Sequence, residues 1–189
     1  MGNYVFSKKK QEIGYKGFII EDRFIPINKS EFDWVNPPIT SYEQDGYKIT
    51  KSAVFAGYQG WYLFDYRSRF EDGHDDTGDG WVVYTYQLPA WVMIECSYSV
   101  KLTSTFLITR YEGNGRCPKD IKIQGSNDGT NFDDLLNTQL PYQPNTKFSF
   151  DIVNNKYYKF YRYYVTSSWD SSFTGLAEWR LIGKSKIKL

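Results

Sequence analysis

The run Ile121-Lys122-Ile123-Gln124-Gly125-Ser126-Asn127-Asp128-Gly129-Thr130-Asn131-Phe132 constrains the fold more than any other stretch of the chain. A strand-like alternation ends in Asn-Asp-Gly, residues that tolerate a positive φ and, for Asn and Asp, hydrogen-bond their own main chain. A strand must stop and reverse there. The same grammar recurs from Tyr47 onward, with short aromatic and β-branched runs separated by turn residues, as in an antiparallel sandwich. Tyr, Trp and Phe make up 19% of the chain, with 17 tyrosines and 6 tryptophans, a bias toward pleated sheet that makes an all-β fold the first expectation.

The expected strand segments are Val54-Phe55-Ala56, Gly60–Phe64, Trp81–Tyr86, Trp91–Cys96, Ser104–Arg110, Lys119–Gln124, Lys147–Ile152, Tyr157–Thr166 and Ala177–Ile182. Ser97–Leu102 is expected as a connection, and Asp133-Asp134-Leu135-Leu136 as a single helical turn. Residues 1–38 form an N-terminal arm: Gly14 and Gly17 interrupt any helix, and Asn36-Pro37-Pro38 separates the segment from the rest of the chain. Its Tyr4, Phe6, Phe18, Ile19 and Ile20 are too apolar for a solvated tail, so it is expected to pack on the domain or on a neighbouring subunit. Residues 39–183 form the sandwich, and residues 184–189 a basic tail.

Several classes of function are excluded or weakened. The 23 basic and 22 acidic residues leave a net charge of +1, too little to draw the whole chain to nucleic acid or anionic membrane. No apolar run approaches the roughly 18 to 20 residues that cross a bilayer. The lysines at 8–10 come after the first apolar residues, which is not how a secretory signal is built. The expectation is a protein used without export or a trimmed form, acting on a virion or an extracellular surface as part of an assembly. The single histidine, His74, sits in an Asp/Gly-rich loop, no carboxylate pair stands out by spacing, and no phosphate-cradling loop is present, so an enzyme is not expected. Cys96 shares a strand face with Val92 and Ile94 and reads as a buried thiol, whereas Cys117 lies beside a Gly-rich loop; a bridge between them is left open.

The Ser-Asn-Asp-Gly turn, the aromatic strand ending Tyr163-Tyr164-Val165-Thr166-Ser167-Ser168-Trp169, and the closing Gly175-Leu176-Ala177-Glu178-Trp179-Arg180-Leu181-Ile182-Gly183 together resemble the factor V/VIII type C, or discoidin, family. That is the galactose-binding-like, carbohydrate-binding-module type of jelly-roll β-sandwich, and the resemblance runs from about Ile39 to Gly183. It implies non-catalytic recognition of a glycan through loops at one end of the sandwich. On this chain the implied ligand-binding residues are Tyr58, Trp61, Arg69, His74, Arg110, Arg116, Trp169 and Phe173. The alternative for individual residues stays open: Trp61 as core, Arg110 paired with a carboxylate. The resemblance also implies a structural Ca²⁺ held by Asp65 and Glu178. Calcium takes about six to eight oxygens, and the other usual contributors fall on Arg67 and Phe70, which cannot serve. A rival cluster is Asp72, Asp75, Asp76, Thr77 and Asp79, without EF-hand spacing. Lipid binding is weaker, because Asp170 stands between the candidate spikes Trp169 and Phe173. The second functional expectation is a structural subunit, a homo-oligomer or a phage virion protein, using the sandwich for protein contacts.

Overall fold

A computed structural model describes residues 18–20, 23–25, 31–67, 80–111 and 116–186. The strands, in chain order, are β1 (Phe18–Ile20), β2 (Arg23–Ile25), β3 (Glu31–Val35), β4 (Glu43–Gln44), β5 (Tyr47–Lys51), β6 (Trp81–Tyr84), β7 (Ala90–Ile108), β8 (Asp120–Ser126), β9 (Asp133–Gln139), β10 (Lys147–Asp151), β11 (Tyr158–Val165), β12 (Phe173–Leu176) and β13 (Glu178–Lys186). The chain divides into two compact units, residues 33–186 and residues 1–32 with 187–189. Within the smaller unit β1 and β2 pair as an antiparallel hairpin.

Residues 33–186 form the expected antiparallel β-sandwich. One layer holds β4, β5, the first half of β7, β11, β8 and β9; the other holds β3, β13, the second half of β7, and β10. β7 belongs to both. Its residues 90–95 pair with β5 and β11, and its residues 100–108 pair with β13 and β10, so the strand changes layers near Val100, which faces Tyr158 on one side and Ser185 on the other. Both ends of β7 therefore lie at one end of the sandwich, the apex, and its middle lies at the other, the base. β6 and β12 pair as a separate two-stranded ribbon beside the apex.

Alternation explains the packing. Ala90, Val92, Ile94 and Cys96 of β7 and Tyr161, Tyr163 and Val165 of β11 point inward and are fully buried. The largest core side chains interlock, with Trp81 edge-on to Tyr163 at 6.1 Å and Trp179 against Phe64 at 5.4 Å. Both indole N–H groups are satisfied: that of Trp81 donates to the Ala53 carbonyl at 2.8 Å, and that of Trp179 to Thr105 Oγ1 at 2.9 Å.

Val54–Ala56, expected as a strand, lies outside the strands, with Ala56 in a turn at φ +46°, and the structure departs from the sequence expectation in four further places. Ser97–Leu102 is not a connection but the layer-crossing middle of β7, where exposed Tyr98 and Ser99 break the inward alternation that Val100 and Leu102 resume. Asp133–Leu136 is not a helical turn; it pairs with β8 as the start of edge strand β9. Gly60–Phe64 is a 3₁₀ turn, because Leu63 and Phe64 are both buried, which neighbouring positions of a half-exposed strand cannot achieve. β6 stops at Tyr84, and Thr85–Gln87 forms another 3₁₀ turn closed by Leu88 N–H to the Thr85 carbonyl at 3.1 Å.

The Asn-Asp-Gly reversal sits at the base, joining β8 to β9. Gly129 takes φ +72°, and the Asp128 carboxylate gathers Thr130 N–H and Asn131 N–H, both at 2.8 Å, with Asn131 Nδ2 at 2.7 Å. Side-chain and backbone donors of Asn131, then Thr130 and Ser126, hold this carboxyl well below the usual range.

Candidate functional site

An aromatic nest occupies the apex. The Phe55 ring lies 4.9 Å from Tyr84, 4.8 Å from Phe173 and 5.8 Å from Tyr58, and Tyr84 stacks on Phe173 at 4.9 Å. Tyr86 then stacks on the far side of the cluster, 4.9 Å from Tyr84 with only 21° between the ring planes. Tyr86 is 77% exposed. Its position stems from the early end of β6: the 3₁₀ turn, fixed by Tyr84 N–H donating to Gln87 Oε1 at 3.1 Å, carries the ring outward instead of returning it to the sheet face.

Two guanidinium groups flank the nest. The Arg116 guanidinium carbon lies 5.2 Å over the Phe173 ring, and that of Arg110 lies 4.8 Å over Tyr58. Arg110 is only 3% exposed, so it braces the nest from below instead of lining its mouth. Two glycines make room for it. A Cβ on Gly80, which has φ +118°, would stand 2.4 Å from the Leu176 carbonyl oxygen and 3.0 Å from Arg110 Nη1. A Cβ on Gly175 would stand 2.5 Å from the Trp81 carbonyl oxygen and 3.1 Å from Arg110 Cδ.

The loop between β11 and β12 forms the second part of the apex. Trp169 is 44% exposed, its indole N–H donates to the Leu140 carbonyl at 2.9 Å, and the Lys119 ammonium lies 4.5 Å over its ring. The loop is well tied. Asp170 Oδ1 accepts from Ser172 N–H at 2.5 Å and Phe173 N–H at 3.1 Å, while Thr85 N–H and Oγ1 donate to the Ser172 and Ser171 carbonyls at 3.0 and 2.5 Å. At its root Asp120 accepts from Ser167 and Gln139, which lower its pKa in that order.

Of the residues expected from sequence, Tyr58, Arg110, Arg116 and Phe173 come together, and Trp169 stands at the edge of the same surface. Trp61 does not join them; it lies in the 3₁₀ turn, half-buried against the core with Tyr62 at 4.2 Å. Arg69 and His74 lie outside the described residues, as does the acidic cluster from Asp72 to Asp79. Phe55, Tyr84 and Tyr86 are additions that the sequence pattern does not single out. The signal that could have found Tyr86 is Gln-Leu-Pro directly after it, which ends a strand.

The expected calcium pair fares differently. Glu178 is fully buried and accepts from Arg180 Nη2 at 3.1 Å, and the Arg180 guanidinium in turn lies against the Tyr66 ring. Asp65 Oδ1 accepts the Arg67 N–H at 3.1 Å. A guanidinium stands beside the key carboxylate, and among the described residues no group of three or more Asp, Glu, His or Cys side chains could hold a metal ion. These residues do not fit Ca²⁺ as they stand. Cys96 and Cys117 are both free, and burial pushes both thiols up, away from nucleophilic character.

At the base, an open groove runs past Asp133, Val153 and Tyr158. It is flanked by the exposed Lys156–Asp133 pair at 2.9 Å and offers no aromatic ring to solvent. Among the described residues no helix is long and apolar enough to cross a membrane.

The fold is a discoidin-like jelly-roll β-sandwich, and it is similar to the fold seen in solved structures of family 32 carbohydrate-binding modules. No family model and no curated protein sequence matches the chain. Among solved structures it is similar to the family 32 module of NanJ from Clostridium perfringens in complex with galactose, with TM-score 0.61 and 13% identity over 80% of this chain and 99% of that one. It is also similar to a module of the same family from C. perfringens in complex with GalNAc-β-1,3-galactose, with TM-score 0.57 and 14% identity over 75% and 99%. A third is chitosan-binding module 1 of a chitosanase/glucanase from Paenibacillus sp. IK-5, with TM-score 0.55 and 19% identity over 73% and 96%.

Proposed function

We propose that this chain is a non-catalytic carbohydrate-binding module that grips a glycan at its apex. One observation carries the reading. Tyr86 holds a large ring in solvent, stacked at a fixed angle on a nest that is itself buttressed by Phe55 and Phe173. Exposing an aromatic ring forfeits burial energy, and fixing its orientation serves no packing purpose. A pre-set ring with a phenolic tip suits the apolar face and hydroxyls of a pyranose. Because the loops are tied before ligand arrives, little ordering entropy is lost on binding. Arg116, over the Phe173 ring of the same nest, supplies hydrogen-bond donors.

The similar modules solved in complex with galactose and with GalNAc-β-1,3-galactose, and the chitosan-binding module, support this reading. The virion-subunit alternative gains nothing from them. Display in several copies would raise a weak single-site affinity without new contacts.

Titration by calorimetry or NMR with galactose, GalNAc-β-1,3-galactose and chitosan oligosaccharides tests the proposal. Wild type is expected to bind at least one of them, and Tyr86→Ala to lose that binding with its circular dichroism unchanged. Failure of the wild type to bind any of these sugars, or full binding by Tyr86→Ala, sinks it.

A further inference from the structure

Two aromatic platforms, not one, project from the apex. The first is Tyr86 on its nest. The second is Trp169 with Lys119 over its ring and its indole tied to the Leu140 carbonyl, two residues before Tyr142, which is 49% exposed. The two face different neighbours: Trp169 is held toward the end of β9, whereas Phe173 is held toward β6 and the Tyr84–Tyr86 stack. One short loop joins Trp169 to Phe173, and two stacking steps of 4.9 Å each, through Tyr84, lead on from Phe173 to Tyr86. Trp169 and Phe173 are four residues apart, a Cα–Cα span of at most about 14 Å, and the Asp170 and Thr85 hydrogen bonds fix that span. Ser171 and Ser172, both exposed, occupy the interval with hydroxyls suited to a polar ligand.

A lone sugar ring covers one such platform and leaves the other wet. We infer, resting on the glycan-binding reading above, that the apex holds two subsites and that its ligand is a linear oligosaccharide bridging Tyr86 and Trp169 across the Ser171–Ser172 interval. Tyr86 anchors one ring of the ligand, and Trp169 sets the preference for length. The second subsite adds contact without a second translational cost, so affinity grows with chain length.

Calorimetric titration of the full chain with galactose and its β-linked di-, tri- and tetrasaccharides, and with the chito-oligosaccharides from monomer to tetramer, reads this directly. In whichever series binds, Kd is expected to fall about ten-fold or more from monosaccharide to trisaccharide. Trp169→Ala should erase that gain, so that the monosaccharide and the longer sugars bind the variant with Kd values within about two-fold of one another. Trp169→Phe, which keeps a ring but drops the bond to Leu140, should restore part of the gain, and thermal melts confirm that each variant is folded. Equal wild-type affinity at every length, or equal loss at every length in folded Trp169→Ala, overturns the two-subsite arrangement while leaving glycan binding intact. No binding in either series overturns glycan binding itself and the subsites with it.

Discussion

The base and the apex of this sandwich are built by opposite means. At the base, the reversal from β8 to β9 is made by six consecutive residues: Ser126 to Asn131 supply both the donors and the Asp128 carboxylate that gathers them, and Gly129 supplies the positive φ. At the apex, Phe55, Tyr84, Tyr86, Arg110, Arg116 and Phe173 arrive from five separate segments and meet only once the two layers have closed. The base is local chemistry and is rigid for its own sake. The apex spends the stability of the core on presenting rings to solvent, which is where a binding surface belongs.

The largest effect should come from breaking what both ends share. Glu178 and Arg180 are a buried pair in β13, and removing one partner leaves an uncompensated charge at a cost of about 3–5 kcal/mol. Arg180→Ala should therefore lower Tm by roughly 10 °C for a domain of this size, with apex and base melting together in one transition. Separate transitions at the two ends would show that no common frame exists. Because Arg180 already neutralises Glu178, addition of Ca²⁺ or EDTA should leave the wild-type Tm unchanged. A clear upward shift with Ca²⁺ would mean the acidic residues reorganise around the ion.

The next effect is confined to the apex. Gly175→Ala forces a methyl into the space between the Trp81 carbonyl and the Arg110 side chain, an overpacking cost of about 1–3 kcal/mol. Since Arg110 braces Tyr58, glycan affinity should fall as well, while the fluorescence and exchange protection of the base stay as they were. Hydrogen exchange measured residue by residue separates the two ends. Protection lost equally at the Asp128 turn would erase the distinction between them.

What could be read from the sequence obeys the same divide. Asp128 and Gly129 were legible because every group in that turn lies within a few residues of its partner. The alternation of Val92, Ile94 and Cys96, and of Tyr161, Tyr163 and Val165, announced the core faces in the same local way. The crossing of β7 was hidden because Tyr98 and Ser99, exposed at the bend, look like a loop when read without their partners in β11 and β13. Edge strand β9 was hidden because Asp133 and Asp134 have poor strand propensity and depend on β8 for their pairing. At the apex the residue types were visible, and Arg110, Trp169 and Phe173 could be named. Their roles were not, since burial of Arg110 depends on two glycines, one of them 65 residues away in sequence (175 − 110).

At the base a pH experiment sharpens the comparison. The Asp128 carboxyl is held well below its unfolded value of about 3.9, so its contribution is present in full above that value and is lost as pH falls through the lower folded pKa. Asp128→Ala should lower Tm at pH 7 by less than Gly175→Ala does, and the gap to wild type should close steadily below about pH 4. A gap that stays constant down to pH 2 would assign the turn's stability to Gly129 and not to the carboxylate.

The smallest effect on stability is expected at Tyr86, and that is its significance. The ring is 77% exposed and its hydroxyl has no described partner, so Tyr86→Ala should change stability by no more than about 0.5 kcal/mol. Tyr84, stacked between Tyr86 and Phe173, should cost more, because its ring also fills the gap beside Phe55. If Tyr86 were a packing residue, its removal would loosen Tyr84 and Phe173, and the thermal melt would broaden along with the loss of ligand. If it is a presented ring, binding falls and the melt does not move. In the Asp128 turn at the base, by contrast, removing the side chains that make the turn is expected to lower Tm as well. The dissociation of binding from stability at Tyr86 is thus the measurement that separates an end made to hold the chain from an end made to hold something else.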